Sequence, residues 1–167
     1  TSAERAKSLK KAPAYVLGVG DDLSHYSISN MADLTVTGAV RSGAAAYSMA
    51  GLKSKDIDVL GLYDAFTITT LLFLEDLGFC PKGEGGRFVA HGGIAPGGKL
   101  AVNTNGGGLS YCHPGMYGVF ILIEAVRQLR AEAGARQVAN CETALAHGNG
   151  GTLSAQSTVI LGTAATL

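Results

Sequence analysis

The chain switches between two hydrophobic periods, and the switches mark out its elements. Tyr15-Val16-Leu17-Gly18-Val19 is a short apolar run, read as a first strand. Residues 2–11 before it are polar and helix-tolerant, and Pro13 ends them. Residues 34–51 set Leu34, Val36, Ala39, Val40, Ala44, Ala45 and Tyr47 among small spacers, which predicts a helix closed by Gly51. Asp56 to Leu62 is apolar through its centre and reads as the second strand. Residues 67–77 are too long and too rich in leucine for a strand, so a second helix is expected, stopped at Gly78. After a glycine-rich excursion over 80–98, Lys99 to Asn103 predicts a third strand. Met116 to Arg130 carries Val119, Leu122, Ile123, Val126 and Leu129 at helical spacing. Glu142 to Ala146 and Ser157 to Leu161 are two closing strands around the last glycine loop.

The order β-α-β-α-β-α-β-β predicts an α/β fold with a mostly parallel five-stranded sheet covered by helices. One domain is expected over 13–167, behind a polar segment at 1–12, with no internal repeat or linker. Ligands of such sheets sit off the carboxyl ends of the strands. The polar clusters at 63–66, 103–117 and 147–151 follow the second, third and fourth strands, so they are expected on one rim.

Composition narrows the function class. Hydrophobic residues make up 47% and charged residues 16%, enough for a buried core. Thirteen Lys and Arg balance thirteen Asp and Glu, so no basic face is implied and nucleic acid is not an expected partner. No apolar run is long enough to span a bilayer, and no signal-peptide pattern opens the chain. Cys80, Cys112 and Cys141 are odd in number and widely spaced, which points to reduced thiols, a cytoplasmic setting and no metal site. The 24 glycines are twice the usual share of about 7% and cluster in loops between apolar segments.

Two nucleotide-like motifs fail on inspection. Gly18-Val19-Gly20 lacks a third glycine and is followed by Asp21-Asp22, so it reads as a turn. Gly93-Ile94-Ala95-Pro96-Gly97-Gly98-Lys99 resembles a phosphate loop, but Leu100 follows where a hydroxyl is needed. Tyr63-Asp64-Ala65-Phe66 joins the second strand to the second helix. There Asp64 is placed as a helix cap and Phe66 in the core, while a phenol at Tyr63 can donate to a carbonyl or take a proton. The densest polar cluster runs from Asn103 through Asn105, Gly107, Tyr111, Cys112, His113 and Tyr117, just before the strongest helix. Backbone N–H groups there favour an anion, and Pro114 holds His113 extended, so His113 is the leading catalytic candidate. His147-Gly148-Asn149-Gly150-Gly151 is a second histidine in a glycine loop, read either as a bulged hairpin or as an acid/base facing His113.

These loops resemble the thiolase superfamily, above all the sterol-carrier-protein type thiolases and the bacterial lipid-transfer protein group. The resemblance runs from about Pro13 onward. It rests on AGLKSKDIDVLGLYDAF at 50–66, LGFCPKGEGG at 77–86, GGKLAVNTNGGGLSYCHPG at 97–115 and HGNGGTLSAQSTVILG at 147–162. It implies the second βαβαβαββ half of a two-half fold, the N-terminal half and its nucleophilic cysteine being supplied elsewhere. The family's Asn-Glu-Ala-Phe or His-Asp-Ala-Phe loop matches Tyr63 to Phe66, its Gly-His-Pro loop matches Cys112-His113-Pro114, and its Cys-x-Gly-Gly-Gly loop matches His147 to Gly151.

The resemblance implies an acyl-CoA substrate, no cofactor, oligomerisation and, in the aldolases of the group, a small partner protein. Catalytic roles fall on His113, on Tyr63 or Tyr111 for a hydroxyl proton, and on His147 as second acid/base. Asn103, Asn105, Gly107, Tyr117, Asn149 and Gly150 are the expected substrate contacts. The departures at Tyr63 and His147 set retro-aldol cleavage beside acyl transfer, with a non-catalytic acyl-CoA or lipid-binding subunit as the third reading.

Overall fold

The computed structural model describes residues 1–110 and 112–167. Helix α1 (Ala3–Ala6) is a single turn capped by the Ser2 hydroxyl, which accepts from the Arg5 N–H. Of the polar, helix-tolerant residues 2–11, only this turn is helical.

Strand β1 (Tyr15–Leu23) runs through the Gly18–Asp22 stretch that was expected to turn. The glycines serve a different purpose from a turn. Helix α2 (Ala39–Ala50) lies so close that a Cβ at Gly18 would overlap the Ala46 carbonyl oxygen, and one at Gly20 the Ser42 carbonyl oxygen. Gly20→Ala is expected to cost roughly 3 kcal/mol, since the clash is with helix backbone that has no side chain to move aside. A fall in the urea midpoint at unchanged slope checks this. Gly51 ends α2 in the left-handed conformation, as the pattern predicts.

Strand β2 (Val59–Leu62) leads into α3 (Thr67–Asp76), and the excursion that follows holds a short helix, α4 (Gly85–Val89). Strand β3 (Ala101–Val102) is only two residues long, and α5 (Tyr117–Leu129) follows the polar cluster. The hairpin of β4 (Thr143–Gly150) and β5 (Ala155–Gly162) closes the chain. The expected β-α-β-α-β-α-β-β order is present, with α1 and α4 added.

The sheet order is β1-β5-β4-β2-β3. It is mixed, and this corrects the expectation of a mostly parallel sheet. β3–β2 and β2–β4 are parallel, while β4–β5 and β5–β1 are antiparallel. The tight β4–β5 connection forces the reversal, since a parallel pair needs a crossover of a dozen residues or more.

Helices cover both faces. α2 and α3 bury Ala46, Phe73, Leu74 and Leu77 against Leu60, Leu62, Leu145 and Ile160. α5 buries Ala125 and Leu129 against Val59, Ala144 and Leu161 on the other face. Thr37 and Lys82 tie the start of α2 to the end of α3 through the Asp76 carboxylate. Among the described residues no helix is long and apolar enough to cross a membrane.

Candidate functional site

The rim predicted from the strand order exists. β2 ends at Leu62, whose register partner on the parallel strand β4 is His147, and β3 ends at Val102 immediately before Asn103. The Leu62 N–H donates to Asn103 Oδ1 at 2.7 Å, and the Tyr63 N–H donates to the His147 carbonyl at 2.9 Å. Asn103 thus continues the ladder with its side chain after β3 has stopped. It takes a left-handed backbone (φ 49) that asparagine tolerates better than most residues.

Tyr63 is therefore held on both sides, and only 9% of it is exposed. Its ring meets Tyr117 edge-on at 5.3 Å and His113 edge-on at 5.6 Å. The Tyr63 hydroxyl lies 3.1 Å from His113 Nε2. Tyr117, the buried first residue of α5, exchanges hydrogen bonds with the Asn105 amide. Asn105 also accepts from the Gly107 N–H. The structure thus brings together Tyr63, His113, Tyr117, Asn105 and Asn103. The predicted Tyr111 lies outside the described residues.

Asp64 does not cap α3, and Phe66 is not core. Phe66 occupies the position before the helix with 68% of its surface exposed. Asp64 is buried and accepts from the Gly108 N–H at 2.7 Å and the Leu109 N–H at 3.2 Å. The loop amides expected to receive an anion thus receive this carboxylate. Gly107 is required for the fit: its φ is +76, and a Cβ there would overlap Asp64 Oδ2.

His147 is not brought to His113. It lies within β4, not in a loop, and its ring is wholly buried on the α2/α3 face of the sheet. Side chains alternate along a strand, so Ala146 packs with Tyr63, Tyr117 and Ile121 while His147 points the other way. Its ring lies 4.5 Å from Phe73. Nδ1 bonds Thr158 Oγ1 at 2.8 Å and Nε2 bonds Gln156 Oε1 at 2.9 Å. Burial holds its pKa down at about 4, although the Gln156 bond works the other way. Asn149 pairs in register with Gln156, and its buried Oδ1 has no partner among the described residues. Gly150 is exposed at the end of β4.

The His147 partners were missed in the sequence. The only trace there is Gln156 and Thr158 at alternate, inward positions of β5, in phase with Ile160. Glu124 was missed too. It is buried on α5 and takes hydrogen bonds from Thr104, Gln128 and Arg136, tying the loop after β3 to the helix. Burial raises its pKa, but the guanidinium and hydroxyl prevail and the net shift is downward.

Beside Tyr63 a cavity of about 310 Å³ opens between α5 and the sheet, lined by Met116, Val119, Leu122, Ala146, Ser157 and Val159. Tyr63 lines it, in contact with His113 behind, and a tyrosine–histidine pair beside an apolar wall suits proton transfer on a substrate that carries an aliphatic body. Burial pushes the Cys141 thiol up to about 12 and raises that of Cys80, so neither supplies a thiolate near neutral pH. Among the described residues no three histidine, cysteine or acidic side chains gather as a metal site.

The fold and site define an α/β half-domain with a tyrosine–histidine pair at the carboxyl rim of its sheet. The chain belongs to the thiolase C-terminal domain-like family, which matches residues 20–163. It is 37% identical over 152 residues to an acetyl-CoA acetyltransferase of Methanothermobacter thermautotrophicus, covering 90% of this chain and 40% of that protein. It is 40% identical over 139 residues to a 17-hydroxy-3-oxo-4-pregnene-20-carboxyl-CoA lyase of Mycobacterium tuberculosis, covering 78% of this chain and 34% of that protein. Among solved structures, the Ltp2-ChsH2(DUF35) aldolase superposes with a TM-score of 0.86 at 34% identity, over 98% of this chain and 43% of that one. The chain therefore spans between about a third and just over two fifths of the length of these relatives.

Proposed function

We propose that the chain is the C-terminal half of an enzyme that cleaves a β-hydroxyacyl-CoA by retro-aldol chemistry. The observation that carries this reading is the 3.1 Å contact between the Tyr63 hydroxyl and His113 Nε2. The Tyr63 oxygen accepts the proton of the substrate β-hydroxyl as its own proton passes to Nε2. The bond between Cα and Cβ breaks, the β-carbon leaves as a carbonyl compound, and its electron pair becomes the thioester enolate. The proton then returns to Cα, giving a shortened acyl-CoA. No water, oxidant or cofactor enters the balance. Tyr111, two residues before His113, is a second candidate for the hydroxyl proton. Tyr117, Asn103, Asn105 and Gly107 build the walls that aim the pair, and Asn149 and Gly150 end the adjoining strand. The lyase and aldolase relatives support this reading, while the acetyltransferase relative supports acyl transfer as the second one.

The partners follow from the uncovered surface. Val119, Phe120 and Ile123 are exposed on α5 with Met116 just before it, and Val16 and Val19 are exposed on β1. We propose that the N-terminal thiolase half packs on this surface, in the same polypeptide or a partner chain, and that the assembly oligomerises. The Ltp2-ChsH2(DUF35) aldolase carries two component names, and a small accessory subunit is proposed here too.

The test is product analysis with the full-length protein and a panel of CoA thioesters. A β-hydroxyacyl-CoA is expected to yield a ketone or aldehyde and a shortened acyl-CoA without added free CoA. Thiolysis of β-ketoacyl-CoA in its place would overturn the aldol reading in favour of acyl transfer.

A further inference from the structure

The buried ring of His147 has no part in the proton transfer just described, yet both of its nitrogens are hydrogen-bonded. The direction of each hydrogen bond around it can be worked out. Gln156 Nε2 donates to the Leu153 carbonyl at 3.0 Å, so Gln156 Oε1 is an acceptor and His147 Nε2 carries the proton. Nδ1 is then unprotonated and accepts from the Thr158 hydroxyl. Thr158 has only that proton to give, so at its own oxygen it accepts from Ser42 at 2.9 Å. One chain of donors thus runs Ser42, Thr158, His147, Gln156 to the Leu153 carbonyl, joining α2, β5, β4 and the hairpin tip. Leu153 sits in the left-handed region (φ 61), which a leucine adopts only when its surroundings hold it there. Phe73 of α3 closes the remaining side of the ring.

The backbone of the same residue faces the site. The His147 carbonyl accepts the Tyr63 N–H at 2.9 Å, at the point where β2 ends and the catalytic loop begins. The ladder from β2 to β4 goes no further, so on the β4 side this bond sets where Tyr63 leaves the sheet. We propose that His147 is a positioning residue: its ring, tied at both nitrogens to β5, fixes the carbonyl that holds Tyr63, and so sets the Tyr63 hydroxyl against His113. The inference rests on the Tyr63–His113 reading above. It moves His147 from the acid/base role that its place in the chain implies to a supporting one.

The test uses the full-length protein with His147→Gln and, as a milder break one step along the chain, Thr158→Val. Amide hydrogen exchange at Tyr63 is expected to quicken by about tenfold or more in both variants, because local opening becomes easier. Turnover is expected to fall about tenfold to a hundredfold in both, with KM within about twofold and both limbs of the pH profile retained. Unchanged exchange at Tyr63 overturns the proposal. So does loss of one pH limb in His147→Gln alone, which is the signature of a group that itself carries the proton. If the wild-type protein cleaves no β-hydroxyacyl-CoA, the proposed reaction fails, while the exchange measurement still decides whether His147 holds Tyr63.

Discussion

Tyr63→Phe is expected to lower turnover by about a thousandfold while leaving KM within a few-fold, the size typical of removing a positioned acid/base group. The substitution deletes one oxygen and keeps the ring, so the edge-on contacts with Tyr117 and His113 survive. The stability lost is expected to be about 1 kcal/mol, the usual net worth of one hydrogen bond. A large fall in kcat with a small fall in stability separates a chemical role from a packing role. His113→Ala should fall by a similar factor, and the double variant by little more than either single one, since the two residues act as a unit. Steady-state rates on a β-hydroxyacyl-CoA, with circular dichroism to show that each variant is folded, check all three. A Tyr63→Phe enzyme within threefold of wild type would remove the phenol from the mechanism.

Acid should destabilise the fold through His147. The ring ionises at about 4 in the folded chain against 6.5 when free, because burial disfavours the charge. Thr158, Gln156 and Phe73 surround it, and none of them titrates. Between these two values the unfolded chain binds a proton that the folded chain refuses. Stability is therefore full above about pH 6.5 and falls as pH drops toward 4. The loss approaches about 3 kcal/mol, at about 1.4 kcal/mol per pH unit in the steepest part. Urea midpoints of the wild-type protein at pH 7.5, 6, 5 and 4.5 should show this slope. His147→Gln should start lower but lose less over the same window. Equal slopes for the two proteins would place the acid sensitivity elsewhere.

Most of the architecture was legible because apolar periodicity reports burial directly. The three main helices and the order of strands follow from it, with boundaries displaced by a few residues: α2 starts after its apolar pattern does, and β1, β4 and β5 run on into stretches read as turn or loop. The Gly51 and Gly78 stops were legible for the same local reason, a positive φ at the end of a helix. The β4–β5 hairpin was one reading of the last glycine loop, but the antiparallel place of β1 beside β5 was not legible, because the pattern inside a strand does not record its partner. Gly18 and Gly20 show the limit most plainly. A glycine permits a turn and it permits close approach of another element, and only the position of α2 decides between the two.

The candidate site divides in the same way. That Tyr63, Asn103 and His113 belong together follows from the strand order, since loops at the carboxyl ends of neighbouring parallel strands share a rim. Which atoms meet was settled in three dimensions. Asp64, placed by its local context as a helix cap, instead holds the Gly108 and Leu109 amides across 44 and 45 residues of chain. His147 and Ala146 are neighbours in sequence, yet the pleat of β4 sends one ring to Phe73 and the other methyl to Tyr63. By itself the sequence determined the fold class, the family and the short set of residues able to move a proton, because these depend on residue type and order along the chain. The tertiary structure alone decided which of them face one another, because that depends on the face of the sheet each side chain takes and on the partners already present there.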